Sequence, residues 1–380
     1  MPDIAALKIL KSYDGEPVFE EPTTKPTARM LFTHTAGFCY DWESPAIAKY
    51  RVEKKLGNLL WDTENNVPRH AITGVPLHFN PGDRFVYGTS SDWLGFVVEA
   101  ISGMDLDAYF RENIFKPLNI HDSSFYELPG YEAKHTNVVR HTGTYTSDNE
   151  RVDDYKPDQP WLTPRPQTCL GGAGLRGSPR SYLRVLQALL RKGELDGARI
   201  LKPESVELFF SPHIERDDVL DDLAKFLRYN NDPYSRAKES GWVEGESSVD
   251  SLKNWGLGGA LYLEALESGR SSGSMAWSGV AQTHWVVDPK SDVCFIVWSN
   301  TLSTPCWDPV RLCAVPHPRT LTTGCRICTQ CGASLRRSCT RASTMSGPRD
   351  CNRAIETSMS LHGARLEAPQ SAEGSSWWIA

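Results

Sequence analysis

The sequence predicts an α+β protein in which a helical region is followed by a short antiparallel sheet. Two observations lead to this prediction. Between residues 31 and 254, apolar residues recur at helical spacing next to residues that cap helices. From Trp255 onward, short strand-like runs alternate with turns. We therefore divide the chain into the segments 1–30, 31–254, 255–312 and 313–380.

Composition limits the classes of protein to which the chain can belong. Its 380 residues allow two or three domains, and 40% hydrophobic with 23% charged residues is typical of a globular protein. The formal charge of −6 gives no general attraction to nucleic acid or to anionic membranes. The sequence shows no membrane-spanning run, and its N-terminus lacks the pattern of a secretory signal. Because only three of ten cysteines precede residue 300, we expect a cytoplasmic location.

Capping residues and apolar spacing predict five helices before residue 213. Their ranges are 27–37, 91–103, 105–117, 180–192 and 203–212. Gly37 and Gly103 can end the first two helices in a left-handed conformation, and Ser178 followed by Pro179 is a typical helix start. The segments predicted to be irregular or loop-like are 1–30, 130–168 and 213–254.

Strand-like runs dominate the sequence that follows Trp255. They cover 256–264, then 274–279 continuing to 283–288, and finally 293–299. The segment 289–292 is a turn of the Pro-x-Ser-Asp type. Successive strands joined by such short connections predict an antiparallel meander.

Four short motifs occur in a fixed order along the chain. They are LFTHTAG at 31–37, PGDRFVYGTSSDW at 81–93, GGAGL at 171–175 and WSG at 277–279. In this order they resemble the motifs of the serine β-lactamase-related superfamily. Within it, four further segments resemble fungal acyltransferases that acylate polyketide alcohols, of the lovastatin side-chain type. These segments are YDW at 40–42, YG at 87–88, SDW at 91–93 and NWGLGG at 254–259.

The resemblance implies a β-lactamase/transpeptidase-like fold, in which an antiparallel sheet with flanking helices is combined with an all-α region. Residues 1–30 then correspond to a remnant of the N-terminal α/β part, and residues 255–312 to its C-terminal strands. The first residues of this chain resemble a segment that follows the first strands in its relatives. We therefore expect a fold that is incomplete at both termini, with an open sheet edge and marginal stability.

The resemblance also implies acyl transfer through a serine ester, without a cofactor. A Ser-x-x-Lys pair supplies the nucleophile and the proton acceptor, a tyrosine moves the proton, and backbone N–H groups bind the oxyanion. Tyr87 matches this catalytic tyrosine, and Gly279 or Val280 matches the oxyanion donor on the strand. The residues matched to oxyanion and substrate binding are Trp277, Ser278, Gly279, Val280, Gly171, Gly172 and Gly174.

The third motif departs from its relatives at two positions. Trp277 stands where lactamases and many esterases have Lys or His, so the positive charge that binds a β-lactam carboxylate is lost. Ser278 replaces a glycine of the acyltransferases, which changes the width of the pocket. The resemblance implies a small-molecule alcohol as acceptor and an acyl thioester, of coenzyme A or a carrier protein, as donor.

The Ser-x-x-Lys motif is missing from the position it has in the family. Its one literal match, Ser235 with Lys238, follows Tyr87 instead of preceding His34, and we expect His34 itself to be structural. The segment 269–273 fits G-x-S-x-G, but strand-like residues on both sides indicate a hairpin turn. Three functions remain: an acyltransferase of secondary metabolism that is impaired by truncation, a carboxylesterase or β-lactamase-like hydrolase, or a catalytically inactive remnant.

The last segment, 313–380, differs in composition from the rest of the chain. Seven of the ten cysteines lie after residue 300, and Cys325, Cys328 and Cys331 form a C-x-x-C-x-x-C run. A metal or iron–sulfur site would need a fourth ligand at workable spacing, which the sequence does not offer. We therefore expect no metal site here, and a tail that is disordered or translated out of frame.

Overall fold

The computed structural model describes residues 2–57, 67–129, 165–227, 252–266, 269–279 and 283–298. These described residues all belong to one compact unit. Three features singled out from the sequence lie outside the described residues: Val280, the Ser235–Lys238 match and the cysteine-rich tail. The predicted boundary at residue 313 therefore stays a prediction.

The N-terminal region is a short helix followed by a β-hairpin. Helix α1 covers Pro2–Ala5, and strands β1 (Ile9–Asp14) and β2 (Glu16–Glu20) pair antiparallel around Gly15, which has φ 86°. The prediction that residues 1–30 are irregular was therefore wrong. Pro17 suggested a break, but a two-stranded ribbon has outer edges where a proline removes no ladder hydrogen bond.

Nine helices are present in the described part of the chain. After α1 they are α2 (Ala28–Phe32), α3 (Pro45–Glu53), α4 (His70–Thr73), α5 (Ser90–Ser102), α6 (Leu106–Phe110), α7 (Pro179–Leu190), α8 (Pro203–Phe209) and α9 (Asp217–Phe226). A 3-10 turn covers Asp41–Glu43, and α6 continues into a π-helical turn over Arg111–Phe115. Ser178 caps α7 by accepting a hydrogen bond from the Ser181 N–H, as its Ser-Pro start predicts.

Helix α9 corrects the prediction that residues 213–254 form a loop. Asp217 and Asp218 lie in its first turn, where negative charge complements the helix dipole. Val219, Leu223 and Phe226 are its buried residues and follow helical spacing. The many charged residues suggested a loop, although the apolar residues between them follow the spacing of an amphipathic helix.

Two further sheets complete the described fold, and both are antiparallel. A small ribbon pairs β3 (Glu194–Leu195) with β4 (Ala198–Arg199). The larger sheet has five strands in chain order: β5 (Lys253–Trp255), β6 (Ala260–Tyr262), β7 (Met275–Gly279), β8 (Thr283–Asp288) and β9 (Val293–Trp298). This order confirms the predicted meander.

The predicted single strand over 256–264 is instead a turn followed by strand β6. The Gly256 N–H donates to the Gly259 carbonyl at 3.0 Å, so this glycine-rich stretch joins β5 to β6. A Cβ at Gly256 would lie 2.5 Å from the Phe209 carbonyl oxygen, which leaves no room for a side chain. Close packing against α8, more than strand propensity, therefore accounts for these glycines.

Helix α7 packs on one face of the sheet. Residues of β5 and β7 contact the helical region. Leu186 and Leu189 of α7 pack with Trp285 and Val287 of β8 in one apolar cluster. A second cluster joins Trp255 of β5 to residues of α9 and to Phe85, just before α5. The candidate site lies in this second cluster, where three distant parts of the chain meet.

Candidate active site

Tyr87 lies three residues before helix α5, among aromatic rings from several elements. Its ring centroid is 4.3 Å from that of His34, 5.2 Å from Phe226 and 5.3 Å from Trp277. We use the name aromatic cluster for the rings that surround it and for Tyr87 itself. They are His34, Tyr40, Phe85, Tyr87, Phe226, Trp255 and Trp277.

The structure brings Tyr87 and Trp277 into direct contact. The Trp277 indole N–H donates to the Tyr87 phenol oxygen at 3.2 Å. Burial raises the pKa of Tyr87, and the indole hydrogen bond opposes that rise only in part. The side chain is therefore a neutral phenol at physiological pH. Its oxygen is held by one donor, and its own O–H can be donated to a bound molecule.

Trp255 is the most enclosed ring of the aromatic cluster. Its side chain is 2% exposed, and its indole N–H donates to the Phe32 carbonyl oxygen at the end of α2, 2.9 Å away. The rings of Trp255 and Trp277 meet edge to face with centroids 4.6 Å apart. This contact ties β5 and β7 to the segment that carries Tyr87.

His34 packs against Tyr87 and is not arranged as a general base. Its backbone has φ 54°, and its carbonyl accepts from the Val86 N–H at 3.1 Å, which ties α2 to the Tyr87 segment. Burial lowers the pKa of His34 to about 3, so the imidazole is neutral. The buried Nδ1 has no hydrogen-bond partner among the described residues, so it lacks the carboxylate that orients a catalytic histidine. This placement supports the expectation that His34 is structural.

The glycine-rich loop lies against the first turn of helix α5. The Gly172 N–H donates to Asp92 Oδ1 at 2.9 Å. A Cβ on Gly171 would lie 2.1 Å from the Ser91 carbonyl oxygen, so no other residue fits there. Gly174, with φ 85°, lies instead near Phe125, outside the aromatic cluster. Through Gly171 and Gly172 the loop therefore contacts the start of α5, shortly after Tyr87 in the chain.

Asp92 is a buried carboxyl that sequence analysis did not single out as a functional residue. Its side chain is 3% exposed, and burial raises its pKa to about 7, against the effect of the Gly172 hydrogen bond. Burial raises the pKa of Tyr40 well above its usual value, and the charge of Asp92 adds to this. The same charge also raises the pKa of Tyr87. The signal that could have found it was an acidic residue in the first turn of an otherwise apolar helix.

Two matched residues of the third motif, Ser278 and Gly279, lie on strand β7. They pair with His284 and Thr283 of β8. A Cβ at Gly279 would lie 2.4 Å from Thr283 Oγ1, so local packing alone already favours glycine here. The assignment of an oxyanion donor to Gly279 or Val280 stays a prediction.

A nucleophile beside Tyr87 is missing from the described residues. The hydrogen-bond partner of the phenol in this part of the chain is Trp277, and no described serine or lysine is hydrogen-bonded to it. Gly269 and Gly273 both have positive φ, and the Gly269 N–H donates to the Leu266 carbonyl, as in a turn. The G-x-S-x-G match therefore has no helix after it and is not a nucleophile elbow.

Two features are absent from the described part of the chain. No group of three or more His, Cys, Asp and Glu side chains is placed there to hold a metal ion. No described helix is long and apolar enough to cross a membrane.

Comparison with characterised proteins identifies relatives of the chain. Monacolin J acid methylbutanoyltransferase of Aspergillus terreus is 28% identical over 316 residues, which cover 82% of this chain and 70% of the relative. Lovastatin esterase of Penicillium rubens is also 28% identical, over 77% of this chain and 69% of the esterase. Among solved structures, unliganded simvastatin synthase from A. terreus has a TM-score of 0.63 at 26% identity. That match covers 80% of this chain and 71% of the synthase.

These relatives confirm the β-lactamase/transpeptidase-like fold expected from the four motifs. They also confirm the resemblance to acyltransferases that act in fungal polyketide pathways. The beta-lactamase family profile matches residues 16–214, which is more than half of the 380 residues. The chain therefore belongs to the beta-lactamase family.

Proposed function

We propose that this protein is an acyltransferase that moves an acyl group from a thioester to an alcohol of a small secondary metabolite. One observation carries the proposal: the phenol of Tyr87 is held by Trp277 inside the aromatic cluster, at the position of the family tyrosine. The relative from A. terreus is by name a methylbutanoyltransferase. A coenzyme A or carrier-protein thioester is the proposed donor, and the cytoplasm the proposed location.

The proposed role of Tyr87 is to relay a proton during transfer. The alcohol oxygen attacks the carbonyl of a serine ester, and the new ester forms as the bond to the serine oxygen breaks. The alcohol proton passes to the Tyr87 oxygen, while the phenol gives its own proton to the departing serine oxygen. A raised pKa suits this relay because Tyr87 is a neutral phenol before and after the step.

The 380 residues contain no Ser-x-x-Lys motif at the position where the family has its nucleophile and proton acceptor. Ser235 with Lys238 is the one Ser-x-x-Lys in the sequence, and it follows Tyr87 along the chain. The described site supplies the proton relay and an apolar wall for the acceptor. We therefore expect acylation by the 380-residue chain to be impaired.

Ester hydrolysis is the second candidate, because lovastatin esterase is as similar to the chain as the transferase is. The two activities share the acyl-enzyme and differ in whether water or an alcohol accepts the acyl group. The burial of Trp255 and the rings packed around Tyr87 favour an apolar alcohol over water.

The test uses the 380-residue chain and the same chain fused behind the Ser-x-x-Lys segment of a family acyltransferase. Both forms are incubated with an acyl thioester and an alcohol, and intact mass and products are measured. We expect no stable acyl adduct on the chain alone. The fusion should form an adduct and an ester product, and Tyr87→Phe should slow transfer in the fusion by about 10²–10⁴-fold.

Tyr50→Phe is the matched control, since this tyrosine packs with Tyr13 and Phe19 and has no ring contact with the aromatic cluster. An adduct that yields only the free acid would favour the esterase. A folded fusion that forms no adduct would contradict both catalytic functions.

A further inference from the structure

The glycine-rich loop and the start of helix α5 are packed as one unit. A Cβ on Gly172 would lie 3.1 Å from Asp92 Oδ1, and one on Gly95 would lie 3.3 Å from the Gly171 backbone nitrogen. Glycine on both sides of this contact allows the two backbones to approach. The loop thus rests on the same helix whose N-terminal side carries Tyr87.

Asp92 is the polar group at the centre of this contact. Its carboxylate accepts from the Gly172 N–H, while its own backbone N–H donates to the Thr89 carbonyl at 3.1 Å. Asp92 belongs to none of the ion pairs formed among the described residues, whereas the partly buried Asp41 pairs with Arg51 at 2.9 Å. Burial of a carboxylate without a cation is costly, so the position of the Asp92 carboxylate depends on the Gly172 N–H donor.

A second buried aspartate shows the alternative arrangement. Asp107 is 1% exposed and accepts from the Phe125 N–H at 2.8 Å and from the Ser124 hydroxyl at 2.6 Å, with Arg111 as its ion-pair partner. Gly174 lies near Phe125, so Asp107 is coupled to the glycine-rich loop and is no control for Asp92. Asp288 on strand β8 is the internal control, because it is 4% exposed and accepts from the Ser271 and Ser291 N–H groups at 2.8 and 3.0 Å.

We propose that Asp92 is a positioning residue, which fixes the glycine-rich loop at Gly171–Gly172 relative to the Tyr87 phenol. This inference rests on the proposed function, because the loop is expected to line the acceptor cleft. Asp92 follows Tyr87 by five residues, so one short segment carries both the phenol and the anchor of the loop. Movement of the loop away from this segment would widen the cleft at the point where the acceptor binds.

The anchor also sets the electrostatic environment of the site. Tyr40 and Tyr87 are the titratable side chains on which the charge of Asp92 acts, and it raises the pKa of both. The remaining close partner, Gly172, is backbone and does not titrate. An ionised Asp92 therefore helps to keep Tyr87 in the phenol form that a proton relay requires.

Three variants separate these effects in the full chain. Asp92→Asn keeps the acceptor oxygen and removes the charge, Asp92→Ala removes both, and Gly172→Ala places a methyl group against the carboxylate. Asp288→Asn is the control. Hydrogen exchange of the peptide that contains residues 171–174 reports on the loop, and NMR of carbon-labelled tyrosine reports the pKa of Tyr87.

We expect Asp92→Ala to speed exchange of the loop about tenfold or more, the effect of losing a charge-assisted hydrogen bond. Gly172→Ala keeps the N–H donor and only crowds the carboxylate, so it should speed exchange by less. Asp92→Asn should restore most of the protection and lower the pKa of Tyr87. Asp288→Asn should change neither. If Asp92→Ala does not fold, Gly172→Ala and Asp92→Asn decide the question.

Unchanged loop exchange in folded Asp92→Ala, or in folded Gly172→Ala if Asp92→Ala does not fold, would overturn the proposal. Neither hydrogen exchange nor tyrosine NMR needs turnover. An inactive fusion therefore counts against the proposed function without deciding the role of Asp92. In an active fusion, Gly172→Ala should raise KM for the alcohol by more than it lowers kcat.

Discussion

Aromatic and apolar side chains enclose one another around Tyr87, whereas on the outer strand β9 half of them face solvent. The rings around Tyr87 come from segments near residues 34, 87, 226, 255 and 277, and they enclose one another. On β9, side chains alternate between a face that packs on α7 and a face toward solvent. Phe295 is 41% exposed and Val297 59% exposed on that outer face.

The difference shows how each region depends on the rest of the fold. The aromatic cluster exists only when five distant segments meet, so each ring is held by several others. Strand β9 has β8 as its one neighbour in the described sheet, and only its inner face packs on α7. We therefore expect substitutions at the cluster to cost much more stability than chemically similar substitutions on the outer face of β9.

The largest expected effect comes from removing the ring at the centre of the cluster. Trp255→Ala deletes a buried indole and its hydrogen bond to the Phe32 carbonyl, and should lower the free energy of unfolding by about 3–5 kcal/mol. Phe295→Ala, on the outer face of β9, should lower it by about 1 kcal/mol or less. Urea unfolding followed by far-UV circular dichroism measures both. Equal losses would show that the two regions do not differ as proposed.

Local signals predicted those parts of the fold in which capping and apolar spacing agree. Helix α5 is followed by the left-handed Gly103, with φ 70°, and α7 begins at Pro179 after its cap Ser178, as expected from their sequences. The N-terminal hairpin was missed because a contact with a distant segment of the chain supports it. The Leu10 N–H donates to the Leu77 carbonyl, a contact that no local pattern reveals.

The site was predictable only at the residues that belong to family motifs. Tyr87 and Trp277 were named from the sequence, and in the structure the Trp277 indole nitrogen lies 3.2 Å from the Tyr87 phenol oxygen. Phe226 was missed because it lies in a segment interpreted as a charged loop. Asp92 was quoted within a motif, but its importance depends on the Gly172 contact across 80 residues. Contacts of such sequence separation come from tertiary packing and leave no periodic signal.

The second prediction concerns the dependence of stability on pH. Burial holds the pKa of His34 at about 3, below its unfolded value of about 6.5. The contribution of His34 to the free energy of unfolding is therefore present above pH 6.5 and is lost as the pH falls toward 3, by at most about 5 kcal/mol. His34→Asn, which tolerates the positive φ, should flatten this acid loss in urea titrations at several pH values.

Asp92 acts in the opposite direction and must be separated from His34. Its raised pKa of about 7 gives a contribution that is present below about pH 3.9 and lost as the pH rises through 7. Measurement of His34→Asn in an Asp92→Asn background isolates the histidine. The matched control is the same substitution at an exposed histidine, His121→Asn. A slope that survives in His34→Asn would assign the acid loss to other groups.

The smallest expected effect on stability tests the outer face of β9. Val297→Lys should change the free energy of unfolding by no more than about 0.5 kcal/mol, because the side chain is already exposed. A lysine on a terminal strand also opposes pairing with a second molecule, so light scattering should show less self-association. Its neighbour Ile296 packs with α7 on the other face, so Ile296→Lys should unfold the protein. If Val297→Lys is as damaging as Ile296→Lys, the outer face is not a solvent face, and the contrast with the aromatic cluster fails.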